Sequence, residues 1–365
     1  MTRQKVVGFG EIMGRFAPAG WLRLRQVAPG SLNLTFGGAE ANVCSSLAML
    51  GGRAALVTAL PDNPLGEACT AFLRSLDVEI AHIAKVPDSR LGLYFVEAGA
   101  NQRPSNVVYD RAGAAIATTP AEQYDWQAIL EDAGWLHVSG ITPALSKTAA
   151  EATREAVAQA NRRGATVSCD LNFRKKLWRW DSRLKPRELA EKTMREILPG
   201  VQVLIANEED ADDVLGIRAG TSDMASGRLD IERYPEVARQ IAEQFPQLEK
   251  VAITLRESIS ASHNNWGAML YDTASGEVCF APLENQQYAP YQIRDIVDRV
   301  GGGDSFAAGL IYALMDEQLK APARAVAFAV AASCLAHSIY GDVNYSSRAE
   351  VEALMAGSAS GRVKR

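Results

Sequence analysis

The residues with the clearest chemical potential stand together as Gly301-Gly302-Gly303-Asp304, directly ahead of Ser305-Phe-Ala-Ala-Gly-Leu-Ile-Tyr-Ala-Leu314. Phe306, Leu310 and Leu314 recur every four residues with Ala307 and Ile311 beside them, which predicts a helix with one apolar face starting just after the glycines. Three glycines before a helix leave backbone N–H groups free of Cβ obstruction, and the helix dipole adds roughly half a positive charge at the same place. That is a site for an anion such as a phosphate. A carboxylate inside it is out of place unless it works there as a base; the plainer alternative is that Asp304 only caps the helix.

Other stretches carry polar groups at similar junctions. Phe36-Gly37-Gly38-Ala-Glu-Ala-Asn42 opens another helix, where Asn42 can offer an amide to a hydroxyl. The glycine pair there allows either a ligand's close approach or simply a tight turn. Tyr94, Tyr109 and Arg111 fall on two short strands; Tyr109 and Arg111, two apart, share a face. A guanidinium beside phenols suits a carboxylated, hydroxylated small molecule, the alternative being a solvated Arg and a packing Tyr. Asp170, Asn172 and Arg174 alternate after a strand and would project to one side if extended. Asn207, followed by Glu208, Glu209 and Asp210, suits helix capping and also suits holding Mg²⁺ through water. Thr254 and Arg256 end the next strand within reach of phosphates. Of the four histidines, His137 in a strand and His263 in a loop form no metal constellation.

Together these groups suggest phosphoryl transfer, in which a protein mainly positions reactants and neutralises charge. Asp304 would take the proton of a substrate hydroxyl attacking a γ-phosphate. The amides of Gly301, Gly302 and Gly303 would face the charge that develops, and Mg²⁺ would bridge the nucleotide oxygens. The chain contains no GxxxxGK[ST] phosphate loop, which sets aside a P-loop enzyme, and no GxGxxG after its first strand, which weakens a dinucleotide-dehydrogenase reading.

The elements that must hold these residues alternate. Short apolar strands are expected at 6–9, 54–59, 135–139, 166–170, 201–206 and 251–255, and helices at 39–50, 65–76, 147–163, 187–198, 235–244 and 321–340. This predicts an α/β fold with a mostly parallel central sheet covered on both faces, ligands binding at the carboxyl ends of its strands. Two stretches break the alternation. Residues 14–36 are punctuated by Pro and Gly, and 91–111 read as strands 93–97 and 106–109 about a polar turn; together they predict a small antiparallel flap. A Gly/Ser/Asp-rich stretch at 218–229 reads as a surface excursion.

Length and charge narrow the class. At 365 residues the chain fits one large domain with a subdomain. Thirty-eight Lys and Arg against 43 Asp and Glu give a net charge of −5, no basis for binding nucleic acid or an anionic membrane. Five scattered cysteines without a CxxC fit the reduced cytosol rather than a disulfide framework or zinc site. No apolar run reaches the ~20 residues of a membrane helix. A cytoplasmic location is expected.

The chain resembles the ribokinase-like sugar kinases of the phosphofructokinase B type over nearly its whole length. Two signatures carry the likeness: Gly37-Gly38-Ala-Glu-Ala-Asn42 with Leu50-Gly51, and Asp298-Arg-Val-Gly-Gly-Gly-Asp304-Ser-Phe-Ala-Ala-Gly309. Within that family it looks most like the 2-keto-3-deoxygluconate kinases, through Tyr109-Asp-Arg111, Ser139-Gly-Ile141 and Asp170-Leu-Asn-Phe-Arg174 with Leu177-Trp178. The resemblance implies a single ribokinase-like domain of three layers, with a β-strand lid from about 14–36 and 91–111, and Asp304 as catalytic base. It implies a keto-acid bound by Gly37, Gly38, Asn42, Tyr94, Tyr109, Arg111, Arg174 and Asp342, with Arg111 and Arg174 on the carboxylate. Asn172, Asn207, Thr254, Arg256 and Asn344 would face ATP. Arg299 stands where Thr is common in the wider family, and Thr254-Leu-Arg-Glu-Ser-Ile259 replaces its Thr-Leu-Gly-x-x-Gly loop. The expected activity is ATP- and Mg²⁺-dependent phosphorylation of the keto-acid to its 6-phosphate, in a homodimer or higher homo-oligomer formed through the lid. A fructokinase, a 5-keto-2-deoxygluconokinase or a catalytically silent ligand-binding member are the alternatives.

Overall fold

A computed structural model describes residues 4–207, 209–217 and 231–357; the 218–229 stretch and Glu208 lie outside them. The core strands are short and almost wholly apolar, as strands covered on both faces must be. These are β1 (Lys5–Phe9), β4 (Ala54–Pro61), β8 (Ala133–Ser139), β9 (Thr166–Asp170) and β10 (Val203–Ala206). They pair in parallel in the order β10-β9-β8-β1-β4, with β11 (Lys250–Ser260) parallel beside β10 and β5 (Ile83–Val86) parallel beside β4. Successive side chains point to opposite faces. Val7, Phe9, Leu136 and Val138 join one core with the 147–162, 186–197 and 234–244 helices. Val6, Leu56 and Ile205 join the other with the 39–49, 302–314 and 322–336 helices. Three layers result.

The glycine-led helix is the Gly302–Leu314 element, whose Phe306, Leu310 and Ile311 are fully buried. Each such side chain contributes about 1.5–3 kcal/mol of burial, enough to fix the helix against the sheet and leave only its first turn facing the site. Tyr312 stacks on Phe328 of the 322–336 helix with ring centroids 5.5 Å apart.

One edge of the sheet departs from the expected pattern. The strand expected at 251–255 continues to Ser260, and His263, expected in a loop, begins β12 (His263–Asp272). The two run antiparallel with Arg256 opposite Trp266 and Glu257 opposite Asn265. β13 (Val278–Ala281) and β16 (Tyr291–Arg294) extend β12 antiparallel, and β14 (Leu283–Glu284) with β15 (Gln287–Tyr288) forms a small ribbon between them in sequence. Pairing to an existing edge overrides the weak strand preference of His263-Asn-Asn265.

The flap is a four-stranded sheet in the order β3-β2-β6-β7, from Asn33–Gly37, Met13–Ala17, Leu93–Glu97 and Asn106–Asp110. β2 and β6 are parallel, so the sheet is mixed rather than purely antiparallel. Met13, Ala17, Tyr94 and Val96 form its small core, while Leu34 and Val108 are exposed.

Candidate active site

A cavity of about 400 Å³ opens where the carboxyl ends of β9, β10 and β11 meet the small sheet and the two glycine-led helices. The parallel strands place it there, as in open α/β sheets generally. Its wall includes Asp304 with all three glycines, then Gly38, Asn42, Tyr94, Tyr109, Arg111, Arg174 and Asp342, and also Asn172, Asn207, Thr254 and Arg256. Gly37 and Asn344 are not in that wall. Gly37 lies beneath Asp342, and Asn344 is buried, its amide donating to the Ala332 carbonyl at 2.9 Å while its oxygen accepts from the Ser346 N–H at 3.0 Å.

The glycine turn is built as an anion site requires. Gly301 precedes the helix at φ +83°, and a Cβ there would lie 2.1 Å from the Asp342 carbonyl oxygen. Only glycine fits. The Ser305 N–H makes the first intrahelical bond, to the Gly301 carbonyl at 2.8 Å. The N–H groups of Gly302, Gly303 and Asp304 therefore belong to the unsatisfied first turn of the helix.

Asp304 does not cap that helix: no side-chain cap bond is present. Its Oδ2 instead accepts from Asn42 Nδ2 at 2.6 Å. Asn42 Oδ1 takes the Gly38 N–H at 3.2 Å, so one amide ties the two helix starts together. The amide expected to meet a substrate hydroxyl is thus turned toward the carboxylate. Burial pushes the Asp304 carboxyl up to about 6; the Asn42 hydrogen bond and Arg174 pull the other way, and Asp342 adds to the rise. Behind it, Glu40 is buried with Oε1 accepting from Ser139 at 2.7 Å and Thr142 at 3.2 Å, and burial pushes its carboxyl up to about 7.

Arg111 and Tyr94 are already partnered. Arg111 donates through Nε, at 2.7 Å, and Nη2 to Oε2 of Glu11, and both residues are buried. Tyr109 lies under the guanidinium, 5.5 Å from ring centroid to Cζ. Tyr94 donates to Asp342, whose other oxygen accepts from Arg15 Nη1 at 2.5 Å. By contrast Arg174 donates only to the Phe173 carbonyl at 3.0 Å and makes no ion pair among the described residues. Glu11 and Arg15 were invisible in the sequence because their partners lie 100 to 327 residues away.

The polar run after β9 converges differently from the alternation expected of it. The strand ends at Asp170, whose Oδ1 takes the Asn172 N–H at 3.0 Å, and Asn172 turns at φ +39°. A turn stabilised by Asp, with Asn tolerating the left-handed region, brings the three residues to one wall. Asp210 closes the turn, accepting from the Phe173 and Asn207 N–H groups at 3.1 Å each. The Asn207 oxygen accepts from the Glu209 and Asp210 N–H groups at 2.8 and 3.0 Å, so this residue braces the turn that leads into the Asp210–Leu215 helix. Arg299 also reaches the cavity, held by the Ser260 carbonyl and Asn264, each at 2.9 Å. His337 and Trp266 complete that wall, ring centroids 5.3 Å apart.

The chain is similar to known carbohydrate kinases. The chain is 44% identical to 2-dehydro-3-deoxygluconokinase from Thermotoga maritima, and the two structures match with a TM-score of 0.86 over 97% of this chain and all of the other. It is 32% identical over 358 residues to 2-dehydro-3-deoxygalactonokinase of Haloferax volcanii, 98% of each chain being covered. With 2-dehydro-3-deoxygluconokinase of Thermoproteus tenax it shares 26% over 332 residues, 88% of this chain and 87% of that one. The pattern of the pfkB family carbohydrate kinases matches residues 3–348, and the chain belongs to that family.

Proposed function

We propose that the chain transfers the γ-phosphate of ATP to 2-keto-3-deoxygluconate, forming its 6-phosphate. The observation that carries this reading is Asp304 held by Asn42 in the first turn of a glycine-led helix, in a cavity that also presents Arg174. With its carboxyl pushed up to about 6, Asp304 is ionised at neutral pH yet basic enough to accept a hydroxyl proton. Asn42 fixes one oxygen, and the other carries no hydrogen bond among the described residues. The first-turn amides stabilise the charge developing on the transferred group. Arg174 is the guanidinium best placed for a carboxylate, because Glu11 compensates Arg111. Arg111 contributes its remaining Nη1 and orients Tyr109. A neutral sugar has no use for these cations.

We assign Asn172, Asn207, Thr254 and Arg256 to the nucleotide side. Among the described residues no cluster of three His, Cys, Asp or Glu is arranged to hold a metal. Asp210 is occupied by two backbone N–H groups. This donor set fits Mg²⁺ that would be held by phosphate oxygens and water, with Asn207 and Asp170 lining the site; when bound, the ion would neutralise phosphate charge. The small sheet acts as a lid, and its exposed Leu34 and Val108, 44% and 47% accessible, support a homodimer formed through it. Light scattering should report twice the 39.3 kDa chain mass, and a monomer at all concentrations would exclude that dimer. The five free cysteines support a cytoplasmic location.

The test is ATP consumption over a panel of 2-keto-3-deoxygluconate, its galactonate epimer, 5-keto-2-deoxygluconate and fructose. The 2-keto-3-deoxy acids should exceed fructose in kcat/KM by at least ~100-fold, the discrimination expected when a site's charged groups are left unpaired. Preference for fructose would overturn the assignment.

A further inference from the structure

Beside the glycine turn lies a charged knot centred on Arg15, a residue that the reaction as described leaves without a role. Arg15 on β2 is only 1% exposed. Its Nη1 donates to Asp342 at 2.5 Å and its Nη2 to Asp298. Arg15 is the cross-strand neighbour of Tyr94, which donates to the second oxygen of Asp342. The small sheet thus grips Asp342 from two adjacent strands. Burial alone would lower the guanidinium's proton affinity, but Asp342 and Asp298 raise it above the ordinary value, so Arg15 stays charged.

Both carboxylates belong to segments that frame the anion site. Asp298 lies three residues before Gly301; its Oδ1 accepts from the Val300 N–H at 3.1 Å and its Oδ2 from the Gly341 N–H at 3.2 Å. Asp342 is wedged between the two glycine turns. A Cβ on Gly301 would lie 2.1 Å from its carbonyl oxygen, and one on Gly37 would lie 2.3 Å from its Oδ2. A displacement of either acid therefore displaces the amides of the turn.

We propose that Arg15 is a positioning residue of the phosphoryl transfer, its planar fork setting the two acidic segments that frame Gly301 and coupling the seat of the small sheet to the anion site. This rests on the kinase reading but not on the identity of the sugar acid. A guanidinium holds two carboxylates at fixed separation and angle, whereas an ammonium is a point charge on a flexible stem. A displacement of about 1 Å in such a site costs about 100-fold in rate.

The experiment compares kcat, the KM for ATP, the KM for 2-keto-3-deoxygluconate and the melting temperature in Arg15→Lys and Arg15→Ala. Arg15→Lys keeps a buried cation and should melt near the wild type, yet lose about 100-fold in kcat with the KM for ATP within about threefold. Added ethylguanidinium should restore at least about tenfold of the kcat lost in Arg15→Ala and leave the wild type unchanged. A merely structural arginine would lower melting temperature and active fraction without this kcat-specific loss. Wild-type kcat in a folded Arg15→Lys overturns the proposal, as does a loss confined to KM. If Arg15→Ala does not fold, the lysine variant alone decides. A wild-type chain inactive on every sugar acid tells against the substrate assignment instead, and the comparison is then run with the sugar that the chain phosphorylates.

Discussion

Removing Arg111 separates two effects that a single activity measurement would merge. The guanidinium and Glu11 are 6% and 3% exposed, and both donor contacts converge on one carboxylate oxygen. The other oxygen of Glu11 is buried with no partner among the described residues. Arg111→Ala therefore strands a carboxylate with little solvent to receive it, a change that costs about 3–5 kcal/mol when the group stays ionised. Burial already pushes the Glu11 carboxyl up, and Arg111 is the largest force pulling it back. Without Arg111 the folded-state value rises further above the unfolded one. Stability is then retained at acid pH, below the unfolded value of about 4.3, and lost as pH rises through the folded value. Denaturant unfolding at pH 5 and pH 8 measures this. Arg111→Ala should be more strongly destabilised at pH 8, and Glu11→Gln added to it should recover about half of that loss or more and remove the extra pH dependence. Equal stability of the single and double variants at both pH values would refute the reasoning. Because Glu11 cancels much of the charge on Arg111, the double variant set beside Arg174→Ala reports on recognition. The KM for the sugar acid should rise more in Arg174→Ala than in the double variant, and the reverse order would place the substrate carboxylate on Arg111.

Two further predictions concern the glycine turn and its carboxylate. The acid limb of kcat/KM against pH should bend at an apparent value of about 6, activity falling about tenfold per unit below it as Asp304 becomes protonated; an acid limb flat down to pH 5 would remove Asp304 as the base. Gly301→Ala meets both a φ of +83° and the Asp342 carbonyl, whereas a Cβ on Gly303 would have nothing within 4 Å. The first should lose at least ~100-fold in kcat and the second much less, since displacing a preorganised donor costs about that factor; equal effects would mean that the geometry of the turn is not what matters.

Much of this was legible in the sequence because the signals were local. A run of glycines ahead of a 3.6-residue apolar period names a helix start whatever surrounds it, and the buried strands announce themselves as apolar runs between turns. Even the small sheet declared its β6 and β7 strands through alternation about a polar turn. What stayed hidden depends on distant partners. Arg15 sits in Met13-Gly-Arg-Phe-Ala17, where nothing local distinguishes a buried guanidinium from a solvated one. Its carboxylates arrive from 283 and 327 residues away. Likewise β12 opens with polar residues that favour loops, and pairing with β11 on one side and β16 on the other makes them a strand. The partners of Arg111 and Asn42 were hidden for the same reason: each lines the cavity, and Glu11 and Asp304 accept their hydrogen bonds from distant parts of the chain.

The central claim is that Asp304 removes the proton from the attacking hydroxyl. Asp304→Asn keeps the size of the side chain and its contact with Asn42 while abolishing its basicity, so turnover and nucleotide binding measured on the same preparation test the claim most directly. Turnover should fall at least ~100-fold, the usual worth of a general base, with the Kd for ATP within about threefold of wild type by calorimetry. Turnover near the wild-type rate, with ATP bound normally, would contradict it.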